Sequence, residues 1–170
     1  QFGYWIPDKI VDSFENGNLL EKYAEPRQGL ATGNNDLFLR KWYEVNFNKI
    51  GLGVGSIEEA KVCTYKWFPF NKGGNFRKWY GNNDYVINWE NDGYELKKFA
   101  TEKYKSFSRT IKNINYYFKK GITWSTISSK APSFRAFNKG FIISNSGQGI
   151  YLNDDKYYYE AMKTISEKTE

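Results

Sequence analysis

The feature that most limits the fold is the grouping of apolar residues. From Trp67 onward they come mostly in short runs cut by Gly, Asn and Ser, while helical stretches gather toward the two ends. "DYVINWEN" alternates, and "INYYFKKGITWSTISS", "SFRAFNKGFIIS" and "GQGIYL" are bounded by turn residues, so each reads as strand. "PDKIVDSFENGNLLEKYA" opens with Pro7 and Asp8 as helix-start residues and breaks at Gly17 and Asn18, which predicts two short helices. "PRQGLATGNNDLFLRKWYEV" reads as loop, a turn at Gly33 to Asp36, and then strand; Asp92 is expected to cap a helix in "GYELKKFA", and "KYYYEAMKTISEKTE" has helical composition. The pattern predicts an α+β fold: a mixed or antiparallel central sheet with short N-terminal helices and a C-terminal helix. That sheet is expected to carry Phe38 to Val45, Tyr85 to Trp89 and Phe141 to Ser144.

A chain of 170 residues, 40% of them apolar, can bury one sizeable core but hardly two, so a single domain over residues 1–170 is expected. One cysteine, Cys63, cannot form an internal disulfide, and without histidine the usual zinc and imidazole acid–base constellations are excluded. The chain reads as metal-free and intracellular, with the cytoplasm as its expected location. It opens at Gln1 and its one methionine is Met162, from which it is expected to be a piece of a longer protein. No run approaches the roughly 18 apolar residues a membrane span needs.

Charge narrows the partner. The chain has 25 Lys and Arg against 19 Asp and Glu, a net charge of +6, which is compatible with a polyanion. The charge meets aromatic rings and bendable backbone in "KWFPFNKGGNFRKWYGNNDY", residues 66–85. Gly73 and Gly74 can expose backbone N–H groups, Lys72, Arg77 and Lys78 can meet phosphates, and Asn71 and its neighbours can meet phosphate or base edges. On residue types alone the same stretch also reads as a solvated hairpin whose Trp67, Phe68, Phe70, Phe76, Trp79 and Tyr80 fill the core. The alternate glycines Gly51, Gly53 and Gly55 in "NKIGLGVGSIEEAKV" invite a nucleotide-cradle reading. No buried strand precedes them and no acidic residue follows at the spacing a ribose needs, so a flexible loop before a short helix at Ile57 to Lys61 is expected instead.

Three longer words carry a resemblance: "RQGLATGNNDLFLRKWYEV", "KWFPFNKGGNFRKWYGNNDYVINWENDGYELK" and "YYFKKGITWSTISS" with "FRAFNKGFIIS". From about Trp5 to Tyr151 they resemble the segment that follows the catalytic domain in the large adenine-specific DNA methyltransferases of BREX phage-defence systems. "GLATGNNDLFL" is also similar to the entry of target-recognition domains in fused restriction and modification methyltransferases. The resemblance implies a parent enzyme that transfers a methyl group from S-adenosylmethionine to the amino group of adenine in DNA. The family's catalytic tetrapeptide contains Pro-Pro, whereas Pro7, Pro26, Pro69 and Pro132 are all isolated, so this segment is expected to have no catalytic residue, no cofactor and no activity by itself.

Carried over onto this sequence, Thr32, Gly33, Asn34, Asn35 and Asp36 match the loop motif. Asn71 to Gly74 with Arg77 match the basic word, and Gly121 to Ser125 match "GITWS". The resemblance therefore implies double-stranded DNA contact by Thr32, Asn34, Asn35, Asn71, Lys72, Gly73, Gly74, Arg77, Thr123 and Ser125; Lys78 joins them by its charge close to the glycines, Asn145 and Gln148 on a Ser-Gly turn are lesser candidates, and ring size places Trp124 in the core. Further implied partners are the remainder of the parent methyltransferase and other defence proteins. Two other readings stay open: a carbohydrate-binding module built on the six Trp and fourteen Tyr, and a scaffold segment that contacts no ligand. Salt-dependent retention on DNA separates the first reading from both.

Overall fold

The computed structural model describes residues 6–127 and 133–167. The chain runs α1 (Asp8–Glu15), β1 (Ala24–Arg27), α2 (Asn35–Phe38), β2 (Leu39–Lys41), α3 (Ile57–Val62), β3 (Trp67–Asn71) and β4 (Tyr85–Asn88). It continues through α4 (Glu90–Tyr104), β5 (Gly121–Ser125), β6 (Phe134–Phe137), β7 (Ile142–Ile143), β8 (Gly147–Leu152) and α5 (Asp155–Glu167). The strands form two four-stranded sheets, one in the order β1-β8-β5-β6 and fully antiparallel, the other in the order β2-β4-β3-β7 with its β3–β7 pair parallel. The α+β expectation, with a C-terminal helix, holds, and the single expected sheet is two.

Local chemistry explains where the strands start and stop. Pro26 donates no ladder hydrogen bond and sits in β1, an edge strand. Pro69 lies in β3 just before Phe70, where pairing with β7 begins, so its position is also an edge on that side. The expected strand Phe38 to Val45 shrinks to Leu39–Lys41. Phe38 ends α2, and the Glu44 carboxylate accepts the Lys41 backbone N–H at 2.6 Å, drawing Trp42 to Glu44 into a tight 3₁₀ turn. Of "INYYF", Ile114–Tyr116 is likewise a 3₁₀ turn. Asp92 does not cap its helix: Asn91, Asp92 and Gly93 form a left-handed turn (φ 51°, 58° and 70°), and the Asp92 carboxylate binds Lys97 Nζ at 2.8 Å.

The core is shared by both sheets and α4. Phe38, Phe68, Phe70, Ile87, Trp89, Leu96 and Phe118 pack with Phe137 and Tyr151, which the antiparallel sheet sends inward. Among the described residues no helix is long and apolar enough to cross a membrane, and no cluster of three His, Cys, Asp or Glu side chains is placed to hold a metal.

Candidate nucleic-acid interface

Three chain segments distant in sequence are laced together by backbone hydrogen bonds. Leu30 donates to the Ile143 carbonyl (3.0 Å), Asn145 donates to the Leu30 carbonyl (3.0 Å), and Ser144 donates to the Asn71 carbonyl (3.1 Å). Two glycines make this approach possible. A Cβ on Gly73 would stand 2.6 Å from the Ser146 carbonyl oxygen, and one on Gly147 would stand 2.6 Å from the Gly73 nitrogen, so the two backbones touch only because neither residue has a side chain. Between the laced segments lies a cleft of about 280 Å³ lined by Thr32, Gly33, Asn34 and Asn35 on one wall, Lys72 on another, and Ser144, Asn145 and Ser146 on the third.

The first wall is a helix start. The Asn34 side-chain oxygen accepts the Leu37 N–H (3.2 Å), which caps α2, and the buried Thr32 hydroxyl donates to Asn35 Oδ1 at 2.6 Å. Gly33 takes φ +70°, and its carbonyl accepts from Lys103 Nζ at 3.3 Å. Asn34 and Asn35 stay exposed. Lys72 is held at the end of β3 with its ammonium 4.5 Å from the centre of the Tyr85 ring. On the third wall the Ser144 hydroxyl accepts the N–H groups of both Ser146 and Gly147 and so fixes the turn.

Beyond Gly74 the chain makes an excursion that carries the remaining basic residues. Arg77 is exposed, as are the rings of Phe76, Trp79 and Tyr80, and Lys78 is half-buried. Of the six rings that could have filled the core, only Phe68 and Phe70 do so fully. The excursion is pinned at its far end, where Trp79 donates to the Phe134 carbonyl (3.3 Å) and Ala136 donates to the Trp79 carbonyl (2.8 Å), extending the β6 edge.

Other candidates lie inside. Asn71 and Thr123 are 0% and 1% exposed and Ser125 is buried; Thr123 and Ser125 share the β5 face of Gly121, which pairs with the core residue Phe137, so these two face the space between the sheets. The Ser125 hydroxyl donates to the Gly74 carbonyl (2.9 Å) and accepts the Gly74 N–H (3.2 Å), which leaves that amide occupied. Behind Ser125 lies Arg135, fully buried, whose guanidinium donates to Ser125 Oγ (3.2 Å) and to the carbonyl and hydroxyl of Ser133. Burial among neutral acceptors pulls its pKa below the ordinary arginine value. Sequence reasoning passed over this residue. The signal was present: in "FRAF" the period of two that sends Phe137 inward sends Arg135 inward as well. Ser144 and Ser146 were also missed. Trp124 and Gln148 are half-buried, and Asn145 lines the cleft.

In the glycine loop, a Cβ on Gly51 would stand 2.7 Å from the Phe68 ring. The Gly51 N–H donates to the Trp67 carbonyl and the Gly55 N–H to Glu59 Oε2 (2.7 Å), so the chain itself occupies the two amides at the ends of a possible cradle. The loop runs into α3 as expected.

No protein-family model matches the chain. It is 39% identical over 154 residues to the adenine-specific methyltransferase PglX of Lacticaseibacillus casei (strain Zhang), a match covering 89% of this chain and 12% of that protein. It is 36% identical over 169 residues to the adenine-specific methyltransferase BrxX of Escherichia coli O9:H4 (strain HS), covering 97% of this chain and 12% of that protein. The chain thus spans about one eighth of the length of these curated relatives.

Proposed function

We propose, from the premise that this chain is homologous to one segment of the adenine-specific methyltransferases, that it is the part of such an enzyme that holds double-stranded DNA and reads its sequence. The observation that carries the reading is the cleft. Two words separated by more than thirty residues, "TGNN" and "NKGG", meet there and bring one ammonium and two exposed side-chain amides to a single opening. Lys72 neutralises a phosphate, and Asn34, Asn35 and Asn145 offer paired donors and acceptors of the kind that adenine and its neighbours display in the major groove. The excursion from Asn75 to Tyr80 adds Arg77 and Lys78 along the backbone. Ser125 supports the loop from behind through its bonds to Gly74, Asn71 and Thr123 are buried away from the opening, and Gly73 and Gly74 serve close packing.

Methyl transfer belongs to the parent enzyme. Neither a Pro-Pro tetrapeptide nor a cofactor motif occurs in this sequence, and the described residues of the glycine loop do not fit S-adenosylmethionine, so the methyl donor is assigned to the remainder of the enzyme.

The test is the salt dependence of DNA binding in the full-length enzyme. Three phosphate contacts by Lys72, Arg77 and Lys78 give a slope of log affinity against log salt on the order of −2.7 from this segment, and Lys72→Ala removes about 0.9 of it on every sequence alike. Asn34→Ser weakens the preferred site selectively. A triple alanine variant at the three cations with unchanged affinity and slope would refute the reading.

A further inference from the structure

A second cleft of about 340 Å³ opens on the outer face of the mixed sheet. The loop from Trp42 to Leu52 arches over Pro69 and Val86, and the lining is almost wholly apolar: Trp42, Phe47, Leu52, Tyr80, Tyr85 and Phe141 dominate it, and among the described residues no charged one contributes. Trp42, Phe47, Leu52 and Tyr80 are each about half exposed or more. So dense an aromatic patch is uncommon on a free surface and marks a site of association. Its anatomy is that of a protein interface: an uncharged aromatic centre with polar groups at the edge, here the Lys41–Asp84 ion pair at 3.8 Å.

We propose that this cleft is the seat of another part of the same methyltransferase polypeptide, which inserts apolar side chains among Trp42, Phe47 and Tyr80. The inference rests on the chain being a segment of a larger methyltransferase and not on the DNA reading. Relatives of which this chain spans 12% have ample polypeptide beyond the matched segment to cover an apolar face. The location has a consequence for the parent. Tyr85 lines the apolar cleft while its ring carries the ammonium of Lys72, which lines the polar one, so the docked part lies directly beside the proposed DNA site. Docking there couples the position of the rest of the enzyme to the lysine that grips phosphate.

The test replaces Phe47 with p-benzoylphenylalanine in the full-length methyltransferase, followed by irradiation and mapping of cross-linked peptides with mixed light- and heavy-isotope chains. The expected product joins residue 47 to a segment of the same chain outside these 170 residues. Linkage to a second copy, to DNA, to another protein or to nothing overturns the proposal. As a second measurement, Phe47→Asp in the full-length protein is expected to speed deuterium uptake by the amides of residues 42–52 about tenfold while those of β4 and β8 keep their protection. Unchanged uptake at 42–52 overturns the proposal. If β4 and β8 accelerate too, the variant has unfolded and the cross-link decides. A lost cross-link with an intact salt slope removes this inference alone, and the converse removes the DNA reading alone.

Discussion

Replacing Gly147 with alanine probes the contact on which the polar cleft depends. Its added Cβ would lie 2.6 Å from the Gly73 nitrogen, 2.7 Å from the Asn71 oxygen and 3.1 Å from the Lys72 carbonyl carbon. Comfortable carbon contacts lie at about 3.5 Å or more, so the two backbones must separate by several tenths of an ångström. Flexible side chains cannot absorb this shift, because every atom met is main chain. Overpacking typically costs about 1–3 kcal/mol, and the rigid surroundings put this case near the top, roughly 3 kcal/mol. For a chain of this size that lowers the melting temperature by about 6–12 °C. Two other glycines serve as controls in the same thermal melt. Gly53→Ala meets nothing within 4 Å but must hold φ +77°, which costs about 1–2 kcal/mol from the left-handed backbone alone. Gly55→Ala has neither problem, since its nearest neighbours are side-chain ends at 3.7 Å and beyond, and it should stay within about 0.5 kcal/mol. The expected order of damage is therefore Gly147, Gly53, Gly55. A Gly147→Ala melt within a degree or two of the unsubstituted chain, or one milder than Gly53→Ala, refutes the claim that the cleft is built on glycine-to-glycine contact.

Arg135→Met keeps the volume of a buried side chain while removing a charge with no carboxylate partner among the described residues, so the melting temperature should hold or rise, whereas Arg135→Ala should cost about 2–4 kcal/mol. In the Met variant the Gly74 amide should nonetheless exchange faster, because Ser125 loses its brace. Asn34→Ala removes the α2 cap and about 1 kcal/mol, while Asn34→Ser keeps the cap, so thermal melts separate that structural role from any loss of DNA preference. The Glu25 carboxyl is held below its ordinary value, first by the hydroxyl of Tyr116 and then by the charge of Arg27, against the opposing effect of burial. A carboxyl with a depressed folded pKa adds stability above its unfolded value near 4.5 and loses it as pH falls through the lower folded value. Urea midpoints of the unsubstituted chain and Glu25→Gln should therefore differ at pH 7 and converge in strong acid.

Much of the architecture was legible from residue order because it depends on neighbours in sequence. Gly17 and Asn18 mark the gap after α1, Ser56 caps α3, and the Gly-bounded runs become β5 and β8, since capping, turn chemistry and period-two alternation act within a few residues. The words holding Thr32 to Asn35 and Lys72 were also visible, and so was the excess of positive charge. That these two words share one cleft was not, because their meeting depends on the parallel pairing of β3 with β7, a contact across some seventy residues that no local pattern encodes. Nor could the sequence tell which face of a strand is buried: alternation divides β5 into two faces, and only the seating of one sheet against the other sends Thr123 and Ser125 inward. The same packing turns Arg135 from a charge free to reach DNA into a buried brace. It also leaves Tyr80, a core candidate by residue type, outside together with Trp42 and Phe47, because the inner face of β3 and β4 is already filled by Phe68, Phe70 and Ile87.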